Sequence, residues 1–202
     1  MAYRNFHLDD LENNFGIKQS IGSVFNLPIT TVPPSDLLVQ TLAVNRKYFP
    51  LTSEKSVSEA IISPILIEVT RNNADKISLF SGSNLDADKA NGLNGEIDFL
   101  FVHRPRTLQM TSPIINITEA KLNDAIENSI GQAAAQMLGA RIFNKKKNKP
   151  IETIFGAVTN GDTWIFLKLE DDIICVDNNR FYLQDLGSIL GAFNQIVNYY
   201  DL

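Results

Sequence analysis

The chain has 202 residues, of which 44% are hydrophobic and 20% are charged, a composition typical of a globular protein with one core. No apolar run approaches the roughly 18 residues of a membrane span, and the N-terminus lacks the basic and apolar segments of a secretory signal. The net charge of −5 disfavours broad affinity for nucleic acid, and a single cysteine excludes an internal disulfide and a cysteine-based zinc site. We therefore expect a cytoplasmic protein with no membrane partner.

The first 50 residues contain two proline-bearing stretches and short helical candidates, and they predict a helical arm packed on the main core. Ser35 is a suitable N-cap for a helix that begins at Asp36, because its hydroxyl can accept an amide hydrogen bond from the first turn. Residues 56–71 predict a second helix, in which apolar residues recur at helical spacing. Pro64 lies inside it and should kink or divide it, since proline removes a helical hydrogen bond.

Short segments of strand-forming residues, separated by turn residues, follow from Lys76 onward. The predicted strands cover residues 76–80, 96–103, 113–121, 153–159, 163–169, 173–176 and 181–183. Residues 81–95 predict a loop. Asn160-Gly161 predicts a type I′ hairpin turn, because that turn requires positive φ at both central residues.

Two further helices are predicted, a small-residue helix over 126–143 and a C-terminal helix over 185–200. The order of elements predicts an α/β fold with a mixed central sheet flanked by helices and an N-terminal helical arm. We expect a single domain over residues 1–202, with the arm over about 1–50, the core over about 55–170, and short strands and a helix over about 171–202.

Acidic and basic residues end two neighbouring predicted strands. Because side chains alternate between the two faces of a strand, Asp98 and the pair Glu119 and Lys121 can converge at one end of an antiparallel pair. The apolar residues predicted to share their faces are Leu100 and Val102 for Asp98, and Ile115 and Ile117 for the Glu119–Lys121 strand. The opposite face of the first strand is predicted to hold Ile97, Phe99 and Phe101.

Two carboxylates on rigid strands suit a hard cation. Magnesium often binds only one or two protein carboxylates together with waters and substrate phosphate, and it lowers the pKa of a bound water. We therefore predict a Mg²⁺ (or Mn²⁺) site formed by Asp98, Glu119 and the Ala120 carbonyl. Lys121 would steer or deprotonate the water and offset the developing charge. The alternative is a solvated ion pair with no catalytic role.

These segments resemble the PD-(D/E)xK nuclease superfamily. Gly95-Glu96-Ile97-Asp98-Phe99 is similar to its Gly-x-x-Asp segment, and Ile117-Thr118-Glu119-Ala120-Lys121 is similar to its (D/E)-x-K strand. Residues 58–66 resemble the opening helix of the nuclease domain of type I restriction enzymes, and residues 159–164 resemble a hairpin of those domains. The resemblance covers about residues 55–170 and implies a restriction-endonuclease-like αβββαβ core.

The resemblance also implies that Glu59 faces the metal site and that Gln132 helps to hold substrate or the lysine. Gln136 occupies the place of the tyrosine in the fuller Gln-x-x-x-Tyr pattern, so the substrate-side role of Gln132 stays open, with a polar residue on an Ala-rich helix as the alternative. Glu59 also has a second interpretation, because Ser56-x-x-Glu59 has the form of a capping box.

The function implied is magnesium-dependent hydrolysis of phosphodiester bonds in DNA. The candidate catalytic residues are Glu59, Asp98, Glu119, Lys121 and Gln132. The candidate nucleic-acid-binding residues are Lys145, Lys146, Lys147 and Lys149, for which a solvated loop is the alternative. No P-loop motif is present, so no nucleotide cofactor is expected.

Two further hypotheses stay open. A catalytically inactive nuclease-fold protein, acting as a nucleic-acid-binding or assembly module, is favoured by the acidic pI near 5.0 and by the missing tyrosine. A homodimer could form through the small-residue helix and the apolar positions of the C-terminal helix, which are Phe193, Ile196, Val197 and Tyr199.

Overall fold

A computed structural model describes residues 2–122 and 126–201. Its α-helices are α1 (Leu8–Phe15), α2 (Asp36–Tyr48), α3 (Glu54–Val57), α4 (Ser63–Asn72), α5 (Ile130–Lys146) and α6 (Leu186–Asn198). Its strands are β1 (Lys18–Gly22), β2 (Ser78–Asn84), β3 (Glu96–Val102), β4 (Ile114–Ala120), β5 (Ile154–Thr159), β6 (Thr163–Glu170), β7 (Ile173–Asp177) and β8 (Phe181–Tyr182). No helix within the described ranges combines the length and the hydropathy needed to cross a membrane.

The strands form one mixed sheet of eight strands with helices on both faces, so the α/β prediction with a mixed sheet is confirmed. The strand order is β1-β7-β6-β5-β4-β3-β2, and β8 pairs with β6. The β4–β5 and β1–β7 pairs are parallel and the other pairs are antiparallel. All seven residues of β4 are buried, as expected for a central strand covered on both faces.

Helix α5 covers one face of the sheet, and α4 and α6 cover the other. The small residues of α5 allow the chain's own N-terminal segment to pack closely against the helix. A Cβ atom on Gly131 would lie 2.6 Å from the Phe6 carbonyl oxygen, and one on Gly139 would lie 2.1 Å from the Tyr3 hydroxyl. The small face of α5 is therefore already covered within the chain.

The apolar positions of α6 are likewise part of the core. Phe193, Ile196 and Val197 have no exposed surface, and Tyr199 is partly buried against the same cluster. The dimer face predicted on these positions and on the small-residue helix is therefore wrong, because both surfaces are filled by the fold itself.

The first 50 residues contain a strand as well as helices. Strand β1 pairs with β7 at the edge of the sheet, although the arm was predicted to be helical. Its sequence is mostly polar, and its one large apolar residue, Ile21, is 81% exposed, so it lacks the alternating apolar pattern of a buried strand. Helix α2 begins as predicted, since the Ser35 hydroxyl accepts from the Leu38 amide at 3.2 Å.

The helix predicted over residues 56–71 begins two residues earlier, at Glu54. Ser53 and Ser56 form a reciprocal cap, in which each hydroxyl accepts from the other's amide, at 3.0 and 3.1 Å. The capping box predicted between Ser56 and Glu59 is therefore wrong, because the Ser56 hydroxyl is already part of the cap at Ser53.

Pro64 changes the helical geometry without dividing the helix. A π-helical segment, Ser58–Ile62, joins α3 to α4 just before the proline. An amide at position 64 would bind the Ala60 carbonyl in a regular α-helix, and proline has no such amide. The Asn45 side chain donates to that carbonyl instead, at 2.8 Å.

The hairpin between β5 and β6 turns over residues 160–163, since the last paired residues are Thr159 and Trp164, so the predicted type I′ turn centred on Asn160-Gly161 is wrong. The positive φ lies at Gly161, at 89°. The Asn160 side-chain oxygen accepts from the Thr163 amide at 2.8 Å and closes the turn.

The predicted alternation of side chains along β4 is partly wrong, because the β3–β4 pair contains a bulge. Phe101 pairs with Asn116 and Val102 pairs with Ile114, which leaves Ile115 without a partner. Ile115 therefore packs on the α4 side, whereas Ile117 packs on the α5 side.

Ile97 was also assigned to the wrong face. It packs with the α5-side core, while Phe99 and Phe101 pack on the α4 side as predicted. Ile97 lies beyond the last β3–β4 pair, Phe99 with Thr118, and pairs only with Ser83 of β2.

Asn144 is fully buried near the end of α5 and binds both backbone groups of Ile114, with its Oδ1 accepting and its Nδ2 donating at 2.8 Å each. We expect Asn144→Ala to lower the free energy of unfolding by about 2–4 kcal/mol, because two buried backbone groups lose their partner. Equilibrium urea unfolding measures this change. The exposed Asn13→Ala is the control, and an equal effect of both substitutions would contradict the assignment.

Candidate functional site

Asp98 and Glu119 lie at the end of the β3–β4 pair. The last paired residues are Phe99 and Thr118, so Asp98 and Glu119 occupy the next position of each strand. Asp98 Oδ2 accepts from the Ala120 amide at 2.8 Å, and this contact joins the two strands where the ladder ends. The predicted convergence of the two carboxylates at one end of the pair is therefore present.

Glu119 is a buried carboxylate, 2% exposed, with a donor on each oxygen. Oε1 accepts from the Lys121 ammonium at 2.6 Å and from the Gln132 amide at 2.5 Å, and Oε2 accepts from the Gln136 amide at 2.8 Å. The structure thus brings together four of the five predicted catalytic residues. The third donor residue, Gln136, was missed as a contact of Glu119, although it lies one helical turn after Gln132 on the same face.

Burial dominates the electrostatics of both carboxylates. It raises the pKa of Glu119 to about 7, assisted by the nearby charge of Asp98 and opposed by Lys121 and Gln136. Burial also raises the pKa of Asp98, against the hydrogen bond from the Ala120 amide. Because both carboxylates are costly to ionise, a cation bound beside them would stabilise their charged forms.

Lys121 is an ammonium ion at neutral pH in this arrangement. Burial lowers its pKa, but the carboxylates of Glu119, Glu54 and Asp98 outweigh burial, and the pKa is raised overall. Lys121 is therefore suited to offset negative charge and to donate a hydrogen bond. Removal of a proton from water, one of its two predicted roles, requires a neutral amine and is not favoured here.

Glu59 does not contact the other candidate residues. Its side chain is 57% exposed and lies 3.8 Å from Lys55. Glu54 occupies the predicted place instead, since its carboxylate lies 3.7 Å from the Lys121 ammonium. Glu54 was not predicted as a site residue, because the helix was predicted to begin at Ser56. A helix predicted with Ser53 as its N-cap would have included Glu54.

A cleft of about 380 Å³ opens beside Asp98 between the start of the α3–α4 helix and strands β2 and β3. Its lining includes four carboxylates, three serine hydroxyls and one ammonium group. These residues are Glu54, Glu59, Glu96, Asp98, Ser58, Ser63, Ser81 and Lys55. The excess of carboxylates favours entry of a cation.

The donor set fits magnesium better than a metal that needs a full protein cage. Within residues 2–122 and 126–201, no three His, Cys, Asp or Glu side chains form a group that could hold a metal. Magnesium needs only one or two carboxylates, and Asp98 uses only Oδ2 in its hydrogen bond, so Oδ1 is available as a ligand. The predicted role of the Ala120 carbonyl stays a prediction.

The predicted nucleic-acid-binding lysines lie at the far end of α5 from this site. Gln132 is in the first turn of the helix and Lys146 ends it, a separation of about 20 Å at 1.5 Å per residue. The Lys146 ammonium donates to the Ala87 carbonyl at 2.7 Å. These lysines are therefore too distant to act on a phosphate held at Asp98 and Glu119.

In comparisons of the sequence with protein-family models and with curated proteins, nothing matches this chain.

The pKa of Glu119 predicts a pH-dependent stability. The folded protein binds a proton at Glu119 more tightly than the unfolded chain, because the pKa is raised from 4.5 to about 7. This contribution is fully present below about pH 4.5 and is lost as the pH rises through about 7. In chelator, we expect the free energy of unfolding of wild type to fall by on the order of 3 kcal/mol relative to that of Glu119→Gln between pH 5 and pH 8.

Urea unfolding at a series of pH values measures this difference. The exposed Glu12→Gln serves as a control and should remain parallel to wild type. A difference between wild type and Glu119→Gln that does not change with pH would show that burial does not control the ionisation of Glu119.

Proposed function

We propose that the chain has a restriction-endonuclease-like fold and acts as a magnesium-dependent phosphodiesterase on DNA. The element order supports the fold, because the α3–α4 helix, strands β2, β3 and β4, helix α5 and strand β5 follow the αβββαβ order of the PD-(D/E)xK superfamily. The choice of DNA follows from that resemblance.

The observation that carries the proposal is the network around Glu119. Asp98, the Glu119–Lys121 pair and Gln132 come from three separate segments of the sequence. They meet at one end of the sheet, where Asp98 accepts from the Ala120 amide and Glu119 accepts from Lys121 and Gln132. An ordinary surface ion pair would be exposed, but Glu119 is buried and its lysine partner is only 22% exposed. Such a network is costly to build and is typical of functional sites.

In the proposed reaction a water oxygen attacks phosphorus, one ester P–O bond breaks, and the leaving oxygen takes up a proton. A bound magnesium ion would polarise the phosphate and lower the pKa of the attacking water. Asp98 and Glu119 would hold the ion. Lys121 would place its positive charge beside the phosphate oxygens, and Gln132 and Gln136 would orient the Glu119 carboxylate.

Substitution of Asp98 and Lys121 tests this proposal. With magnesium or manganese we expect DNA hydrolysis by wild type, loss of hydrolysis in chelator, and a decrease of about 100-fold or more in Lys121→Ala and Asp98→Asn. The matched control is Lys55→Ala, because Lys55 lines the same cleft but its side chain is 84% exposed. Its rate should stay within about twofold of wild type.

Cleavage is followed on labelled single-stranded and double-stranded DNA. The proposal is wrong if purified wild type cleaves neither form with either metal ion. Equal loss of activity in Lys55→Ala and Lys121→Ala would reject the role of Lys121.

Glu54 and Glu59 give a second test of the site. Glu54 lies near Lys121 and Glu59 does not. We therefore expect Glu54→Gln to lower the rate of hydrolysis about tenfold, which corresponds to roughly 1.4 kcal/mol in the barrier. Glu59→Gln should change the rate by less than about twofold. The reverse order would place Glu59 at the metal site, as the resemblance implies.

The second candidate function is a catalytically inactive nuclease-fold module that binds nucleic acid or assembles with another chain. It is favoured by the donors on both oxygens of Glu119, since Lys121, Gln132 and Gln136 compete with any metal for that carboxylate. Isothermal calorimetry separates the two functions. Binding of magnesium or manganese that is lost in Asp98→Asn supports the enzyme, and no binding supports the inactive module.

A further inference from the structure

The positive charges that lack a carboxylate partner are unevenly distributed. Nine of the 18 Lys and Arg side chains form an ion pair with a described carboxylate. Six of the others lie on two segments, the β3–β4 loop and the end of α5 with the loop after it, and all six are exposed. They are Arg104, Arg106, Lys145, Lys146, Lys147 and Lys149. In a chain of net charge −5, such a concentration requires an explanation.

These two segments enclose a cleft of about 740 Å³. Arg104, Arg106 and Lys147 contribute its positive charge, and Thr107, Gln109 and Thr111 contribute polar side chains; no carboxylate is found among the described residues of its lining. This composition is the opposite of that of the cleft beside Asp98.

The loop that carries the two arginines is held in place. The Ser78 hydroxyl donates to the Arg104 carbonyl at 2.7 Å and accepts from the Thr107 amide at 3.2 Å. Arg106 has a φ of 50°, in the left-handed region that non-glycine residues rarely adopt. A fixed backbone lowers the entropy that each arginine loses when it binds a ligand.

The stability of helix α5 explains only some of these positively charged residues. Lysines in the last turn of a helix are favoured by the helix dipole, and this accounts for Lys145 and Lys146. Arg104 and Arg106 lie on a loop between two strands, where no such effect operates. A guanidinium group presents a planar pair of donors that matches two phosphate oxygens.

We propose that Arg104, Arg106 and Lys147 form a second site, which binds the phosphate backbone of nucleic acid without hydrolysing it. Lys147 lies about 22 Å along α5 from Gln132. This distance corresponds to six or seven nucleotides at about 3.4 Å each. The site thus holds the strand well away from the bond that the Asp98–Glu119 site would cleave. It shares a partner with the proposed function but does not depend on hydrolysis.

Fluorescence anisotropy with a labelled 20-base-pair duplex tests this site in the presence of chelator, where no hydrolysis occurs. The cleft variant is Arg104→Ala/Arg106→Ala/Lys147→Ala. The matched control is Arg4→Ala/Lys18→Ala/Lys47→Ala, which removes the same charge from exposed residues outside the cleft and without an ion pair to a described carboxylate. Unfolding measurements verify that both variants are folded.

We expect the affinity of wild type to fall steeply with salt. The slope of log affinity against log salt should be shallower by about 2–3 in the cleft variant, since each lost phosphate contact removes about 0.9. The control should keep the wild-type slope. The proposal is overturned if wild type does not bind the duplex, if the two variants lose affinity equally, or if the cleft variant binds like wild type. Binding to anionic lipid vesicles without binding to the duplex would also overturn it.

Discussion

The burial of the Glu119 carboxylate is the constraint on which the arrangement of β4 and α5 depends. An isolated carboxylate in the core costs several kcal/mol, and here an ammonium and two amides offset that cost. Both amides come from the first half of α5, while Asn144 near its other end binds Ile114. The separation from Ile114 to Glu119 along the strand is about 17 Å, and that from Gln132 to Asn144 along the helix is about 18 Å. Polar contacts thus fix the helix on the strand at both ends, and apolar packing fills the interval.

The same helix separates the charges of the protein. Its first turns lie beside Glu119, where the positive end of the helix dipole favours a carboxylate. Its last turn carries lysines, and the adjacent β3–β4 loop adds Arg104 and Arg106. The net charge of −5 does not show this difference, because it averages an acidic cleft beside Asp98 and a basic cleft beside the end of α5. Overall composition therefore does not report the local charge of either cleft.

Local sequence predicted the features that depend on neighbouring residues. The strand that carries Glu119 and the N-cap at Ser35 both follow from local patterns, and the structure has them. The errors arise where distant contacts decide. The bulge at Ile115 depends on how two strands pair, and the edge strand β1 depends on β7. Glu54 was missed because the helix was predicted to begin at Ser56, whereas in the folded chain Ser53 is the N-cap. The convergence of Asp98 with Glu119 was predicted, but the second amide donor, Gln136, required the register of α5 on β4.

The contacts of Glu119 also determine what separates an enzyme from an inactive module. Because its oxygens already accept from Lys121, Gln132 and Gln136, a cation that binds Glu119 has to displace at least one donor or share an oxygen with it. Metal binding and the Lys121 contact are therefore linked, and each weakens the other to the same extent. Substrate phosphate changes this balance, since it supplies oxygen ligands to the metal and an anionic partner to the released ammonium. In an enzyme the metal and the substrate therefore bind cooperatively. In an inactive module the ammonium keeps its place on Glu119, and the carboxylate contributes only to holding α5 on the sheet.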